Sequence, residues 1–96
     1  MNMKLTLHKQ TEIEINMNSF IGNLLHMYRL ATLLDGYSFN HEICYVIKDM
    51  TMCDPRDYDD PFYVIQTVMN NAYIYATEHD YSQTDIDTLK EIIDRM

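Results

Sequence analysis

The first seventeen residues alternate. Leu5, Leu7, Ile13, Ile15 and Met17 fall on one side of an extended chain, and Thr6, Glu12, Glu14 and Asn16 fall on the other. A period of two is what a half-buried sheet requires, so this stretch predicts a β-hairpin turning near Lys9-Gln10-Thr11. A lone hairpin is marginal in water, so its apolar face must lie on the segments that follow.

From Ser19 the period lengthens. Phe20, Ile21, Leu24, Leu25, Met27, Tyr28, Leu30, Ala31, Leu33 and Leu34 cover more than half of a helical circumference, leaving Asn23, His26, Arg29 and Thr32 as a narrow polar stripe. Ser19 is a natural N-cap, and Asp35-Gly36 offers a residue able to adopt the left-handed stop conformation. A helix over 20–34 with so little polar surface is either central or part of an interface.

Residues 39–52 are ambiguous by composition, because Ile43-Cys44-Tyr45-Val46-Ile47 would also suit a buried strand. The recurrence of Ile43, Val46, Ile47 and Met50 at helical spacing, over more residues than most strands have, favours a helix capped by Ser38 or Asn40. After the loop 53–59, Asp60-Pro61 supplies an N-cap and a proline at the first helical position. Val64, Ile65, Val68, Met69, Ala72, Tyr73 and Ala76 then form an apolar stripe that ends near Glu78. Ser82 with Asp85, or Thr84 with Asp87, caps a last helix whose Ile86, Leu89, Ile93 and Met96 face inward, with Glu91 and Arg95 paired across one turn. The expected fold is therefore α+β and mostly helical, an N-terminal β-hairpin (1–17) packed on about four α-helices (19–96) in a single compact domain.

Length agrees with that picture, since 96 residues suit one modest core and leave no room for a second domain. Charge adds something the periodicities do not. The net charge is −8, and residues 49–96 carry all of the excess: their acids are Asp49, Asp54, Asp57, Asp59, Asp60, Glu78, Asp80, Asp85, Asp87, Glu91 and Asp94, against Arg56, Lys90 and Arg95. Such a chain is repelled by nucleic-acid phosphates and anionic membranes, so neither is an expected direct partner. Cys44 and Cys53 lack any framework spacing, no apolar leader opens the chain, and no 18-residue apolar stretch occurs, which together point to a reducing, cytoplasmic setting.

Motifs with a catalytic mechanism are missing from the pattern. His8, His26, His41 and His79 are scattered, Cys44 lies in an apolar run, and the carboxylates beside Cys53 disfavour its thiolate. With no phosphate-binding glycine loop, the expectation is a non-enzyme without a cofactor. Asp54, Asp57, Asp59 and Asp60 are the right ligand type for a hard cation, but the glycine and glutamate of an EF-hand loop are absent, so a divalent-cation module is a minor alternative.

What remains is surface chemistry. Eight tyrosines are many for this length, and Tyr58, Tyr63, Tyr73, Tyr75 and Tyr81 share the second half with the acids. Tyrosine joins a large contact area to a polar tip at low entropic cost, so tyrosines among carboxylates suit recognition of a basic protein surface. The leading expectation is a small acidic interaction module, most concretely an inhibitor that mimics nucleic acid on the basic binding surface of a partner protein or enzyme. Small acidic inhibitors encoded by bacteriophages act in this way inside the host cytoplasm, and the analogy is one of general character. The expected contact residues are Asp54, Asp57, Tyr58, Asp59, Asp60, Tyr63, Glu78, Asp80 and Tyr81. The alternative is a homo-oligomeric structural or accessory subunit, a homodimer through helix 20–34.

Overall fold

The hairpin forms where the alternation places it. In the computed structural model, which describes residues 2–6, 12–31 and 39–95, strand β1 (Asn2–Thr6) pairs antiparallel with β2 (Glu12–Asn16). Leu5 lies opposite Ile13 and Met3 opposite Ile15 on the inner face, while Lys4 faces Glu14 on the outer one. The expected turn at Lys9-Gln10-Thr11, and Leu7 with it, lies outside the described residues.

Four helices complete the chain: α1 (Met17–Ala31), α2 (Phe39–Thr51), α3 (Pro61–Glu78) and α4 (Gln83–Asp94). Helix α1 begins two residues before the predicted Ser19 cap. Asn16, the last residue of β2, is the residue whose side-chain Oδ1 accepts from the Ser19 N–H at 3.1 Å. Asparagine is as good a cap as serine, and using it lets strand pass directly into helix with no loop between. The predicted stop at Asp35-Gly36 lies outside the described residues, as does Ser38. The segment 39–51 is helical, and Asn40 lies within its first turn.

Helix α1 is the central one, touching β2, α2, α3 and α4. Its Phe20, Ile21, Leu24, Leu25 and Tyr28 are buried against Leu5, Ile13 and Ile15 of the hairpin, Ile43 and Ile47 of α2, Val68 and Met69 of α3, and Leu89 and Ile92 of α4. Fully buried side chains such as Phe20 and Leu24 each contribute about 2–3 kcal/mol by leaving water. Among the described side chains of α1 most of the apolar breadth is thus consumed inside the chain, with Leu30 well exposed, while Leu33 and Leu34 of the expected helix lie outside the described residues. On α3 the inward set is as predicted with one exchange, Tyr75 being buried and Tyr73 half-buried, and on α4 Ile92 joins Leu89 inside while Ile86 and Ile93 sit at the margin. The radius of gyration, 12.7 Å, matches the roughly 12.5 Å of a compact chain of this length.

Polar ties fix the corners. Arg29 of α1 bonds Asp85 of α4 at 3.0 Å, and the Tyr81 hydroxyl donates to Asn18 at 2.6 Å. Ser82 caps α4 by accepting from the Asp85 N–H, and the expected Arg95–Glu91 pair forms at 3.0 Å.

Candidate functional site

The acidic loop is held by its own residues. Asp54 is the N-cap of a short 3-10 turn, Pro55–Asp57, where it accepts from the Arg56 N–H at 2.9 Å. It also accepts three bonds from the Arg56 guanidinium, two from Nε and the shortest from Nη2 at 2.7 Å. These bonds hold the Asp54 carboxyl down at about 2, well below the usual carboxylate range. Arg56 in turn lies 4.9 Å over the ring of Tyr45 on α2, and the turn packs against both α2 and α3. Asp54, Arg56 and Tyr45 therefore form one clasp that pins the loop between two helix ends. Asp60 is also structural, because its Oδ1 accepts from the Tyr63 N–H at 3.1 Å and caps α3 ahead of Pro61.

Asp57 and Asp59 remain exposed on the same loop. Tyr58 between them turns partly inward; burial pushes its phenol up, helped by its hydrogen bond to Cys53. Tyr63 is 44% exposed, beside Phe62 at 45%.

Glu78, Asp80 and Tyr81 lie at the far end of α3. Eighteen residues at 1.5 Å each separate Asp60 from Glu78 by roughly 27 Å, so the nine predicted contact residues fall into two groups rather than one. At this second end His79 closes α3: its Nδ1 lies 2.9 Å from the Tyr75 carbonyl oxygen and its ring stacks on Tyr75 at 3.9 Å. Asp80 adopts φ 58 and the Tyr81 N–H reaches back to the Ala76 carbonyl, a left-handed stop sealed by the edge contact of Tyr81 with Tyr75. Tyr81 is half-buried, and burial raises its phenol first, with Tyr75 and Asp85 adding to the effect. Glu78 and Asp80 are exposed.

Two features were not anticipated from the sequence. Met52 ends α2 in the left-handed region, φ 63, with its N–H bonded to the Lys48 carbonyl at 2.8 Å and its side chain 89% exposed. Glycine is the usual residue at such a stop, and nothing in the local pattern marks a methionine for it. Phe62 is the second. Its place outside the Val64–Ile65–Val68 stripe was legible from helical spacing, and it adds an exposed aromatic next to the acidic loop.

The cysteines are free thiols, Cys44 buried and Cys53 half-buried, and burial pushes the Cys44 thiol up, with Asp54 adding to it. Among the described residues no three His, Cys, Asp or Glu side chains converge as metal ligands, and no helix is long and apolar enough to cross a membrane. Comparison with family models, with curated proteins and with solved structures finds no match to this chain.

Proposed function

We propose that this protein is a non-catalytic interaction module whose acidic loop docks on the basic, nucleic-acid-binding surface of a partner protein and blocks it. The observation that carries this reading is the make-up of residues 52–63. They present Met52, Phe62 and Tyr63 as exposed anchors, with four carboxylates around them. Arg56 is the segment's one cation, and it is bound by Asp54. A few desolvated anchors inside a charged rim is how interfaces concentrate their energy, and the sign of this rim selects a partner rich in Lys and Arg.

Within this reading the residues divide by role. Asp57 and Asp59 steer, Met52, Phe62 and Tyr63 anchor, and Asp54 and Asp60 hold the loop in shape. The cation-binding alternative gains nothing from the geometry, because Asp54 and Asp60 are already engaged by Arg56 and by the start of α3.

The test is affinity capture at low salt with a high-salt wash, followed by a nucleic-acid binding assay on whatever is retained. The expected outcome is a nucleic-acid-binding protein that releases its DNA or RNA when this chain is added. That effect should be lost with Asp57→Asn/Asp59→Asn and with Met52→Ser, both of which retain the clasp and the cap. A captured partner indifferent to both variants, or one that still holds its nucleic acid, refutes the proposal.

A further inference from the structure

The methionines of this chain differ widely in what can reach them. Met1 and Met96 lie outside the described residues, Met17 and Met69 are fully buried, and Met3, Met27 and Met50 are partly buried against the core. Among the described methionines only Met52 is well exposed, at 89%. Two residues earlier, the Met50 Sδ accepts from the Asn23 Nδ2 at 3.9 Å, which engages a lone pair of its sulfur. The backbone around Met52 is tied without help from its side chain. Its N–H donates to the Lys48 carbonyl at 2.8 Å, and the Thr51 Oγ1 donates to the Ile47 carbonyl at 2.7 Å and accepts from the Cys53 N–H at 3.1 Å. A thioether is thus held out in water at a fixed helix end.

We infer that Met52 is a site of reversible oxidation by peroxide, and that its sulfoxide releases the docking proposed above. The site stands on the exposures; the release rests on that docking reading. A lone pair on the Met52 Sδ attacks one oxygen of hydrogen peroxide, and the S–O bond forms as the O–O bond breaks. The departing hydroxide takes the proton of the transferred oxygen and leaves as water, so sulfur gives up the two electrons that the peroxide gains. Hydrogen peroxide is uncharged, and the net charge of −8 does not hold it off. The nearby thiols react as thiolates, whereas a thioether has no proton to lose and reacts wherever peroxide reaches it. The return step takes two thiols through a methionine sulfoxide reductase and yields the thioether, a disulfide and water. A side chain exposed at a helix end is open to such an enzyme.

Sulfoxide formation turns an apolar side chain into a polar one. In the free chain the new oxygen is solvated, and the bonds that end α2 are made by the backbone and by Thr51, so the fold is unchanged. In the docked chain the same oxygen must leave water for a contact shaped to an apolar anchor, while the cations of the partner are drawn to Asp57 and Asp59. Desolvating a polar group without a partner lowers affinity by about tenfold or more.

Peptide mapping of the full chain during exposure to hydrogen peroxide, at about pH 6 where thiols are protonated, reads the site. Cleavage after Lys48 and Arg56 leaves Met50, Met52 and Cys53 in one fragment, whose product ions tell them apart. Met52 should be oxidised at least about fivefold faster than Met3, Met27 and Met50, with the circular dichroism spectrum unchanged, and the reductase should return the thioether. Release is read on the partner retained in the capture described above, with the chain oxidised beforehand and freed of peroxide. Its binding should fall about tenfold on oxidation and recover with the reductase. Met52→Leu keeps an apolar anchor that peroxide does not attack, and its binding should not change on the same treatment. Another described methionine reacting as fast as Met52, or a collapsed spectrum, overturns the site. A partner bound equally by the oxidised and reduced chains, or lost from Met52→Leu as well, overturns the release. If no nucleic-acid-binding partner is retained, the docking reading fails and takes the release with it, while the peptide map still decides the site.

Discussion

Replacing Met52 by glycine should make the protein more stable. A side chain in the left-handed region costs about 1–2 kcal/mol, because Cβ crowds the following carbonyl oxygen, and Met52 stands there at φ 63. Its side chain is 89% exposed, so removing it forfeits almost no buried surface, and the bond from its N–H to the Lys48 carbonyl does not involve the side chain. Against the relief stands the greater freedom of glycine in the unfolded chain, about 0.5–1 kcal/mol. The balance is a gain of about 0.5–1 kcal/mol, or a rise of about 2–8 °C in Tm for a domain of this size. Urea unfolding followed by circular dichroism measures it, with Met52→Ala as the comparison. Alanine keeps Cβ and so keeps the strain, and should leave the midpoint within about 0.5 kcal/mol of the starting protein. A lower midpoint for Met52→Gly, or equal shifts for both variants, would show that strain at this residue is not what limits the stop of α2. A strained, exposed, apolar side chain is a stability cost kept for some other benefit, and the docking role proposed for Met52 supplies one.

Two further outcomes follow from the loop. The Asp54 carboxyl titrates at about 2 in the folded chain, below its usual 3.8, so the stability it lends is present above about pH 4 and is lost as pH falls toward 2; acid unfolding of Asp54→Asn should lack that part of the pH dependence, and an identical acid limb in both proteins would contradict the clasp. Asp60→Ala removes the cap of α3 and should cost about 1 kcal/mol in urea unfolding, while Asp57→Ala, on the same loop but outside both the clasp and the cap, should cost less than about 0.5 kcal/mol.

Most of the fold was written in local signals strong enough to survive tertiary context. The two-residue alternation of 12–16 and the Asp60-Pro61 start of α3 are of that kind, since each is enforced by backbone geometry within a few residues. The helical spacing of Ile43, Val46, Ile47 and Met50 also outweighed the β-branched composition around Cys44. The start of α1 was misplaced because Asn16 and Ser19 are equally suitable caps, and the choice between them depends on how closely β2 abuts the helix. The site was less legible. That Arg56 would clasp Asp54 rather than Asp57 or Asp59 depends on the 3-10 turn at Pro55, which brings the guanidinium back over its own N-cap. The division of the acids into two groups needed only the length of α3, 18 residues, and was available from the sequence once that helix was drawn to scale. The left-handed Met52 had no sequence signal, because glycine or asparagine is the residue expected at such a stop.

The register of the hairpin also bears on how its strands would meet those of another copy. Among the described residues the sheet has only two strands, so each strand has an outer edge with no strand beside it, the usual template for runaway stacking. A second β2 arriving antiparallel in the full five-residue register, with its isoleucines on the correct face, sets Glu14 against Glu14, and a second β1 centred on the same residue sets Lys4 against Lys4. Slipping by one residue relieves the clash only by turning Ile13 and Ile15 out to water. Lys4 and Glu14, which face each other across the hairpin, thus set like charges together when either strand meets its own copy in register.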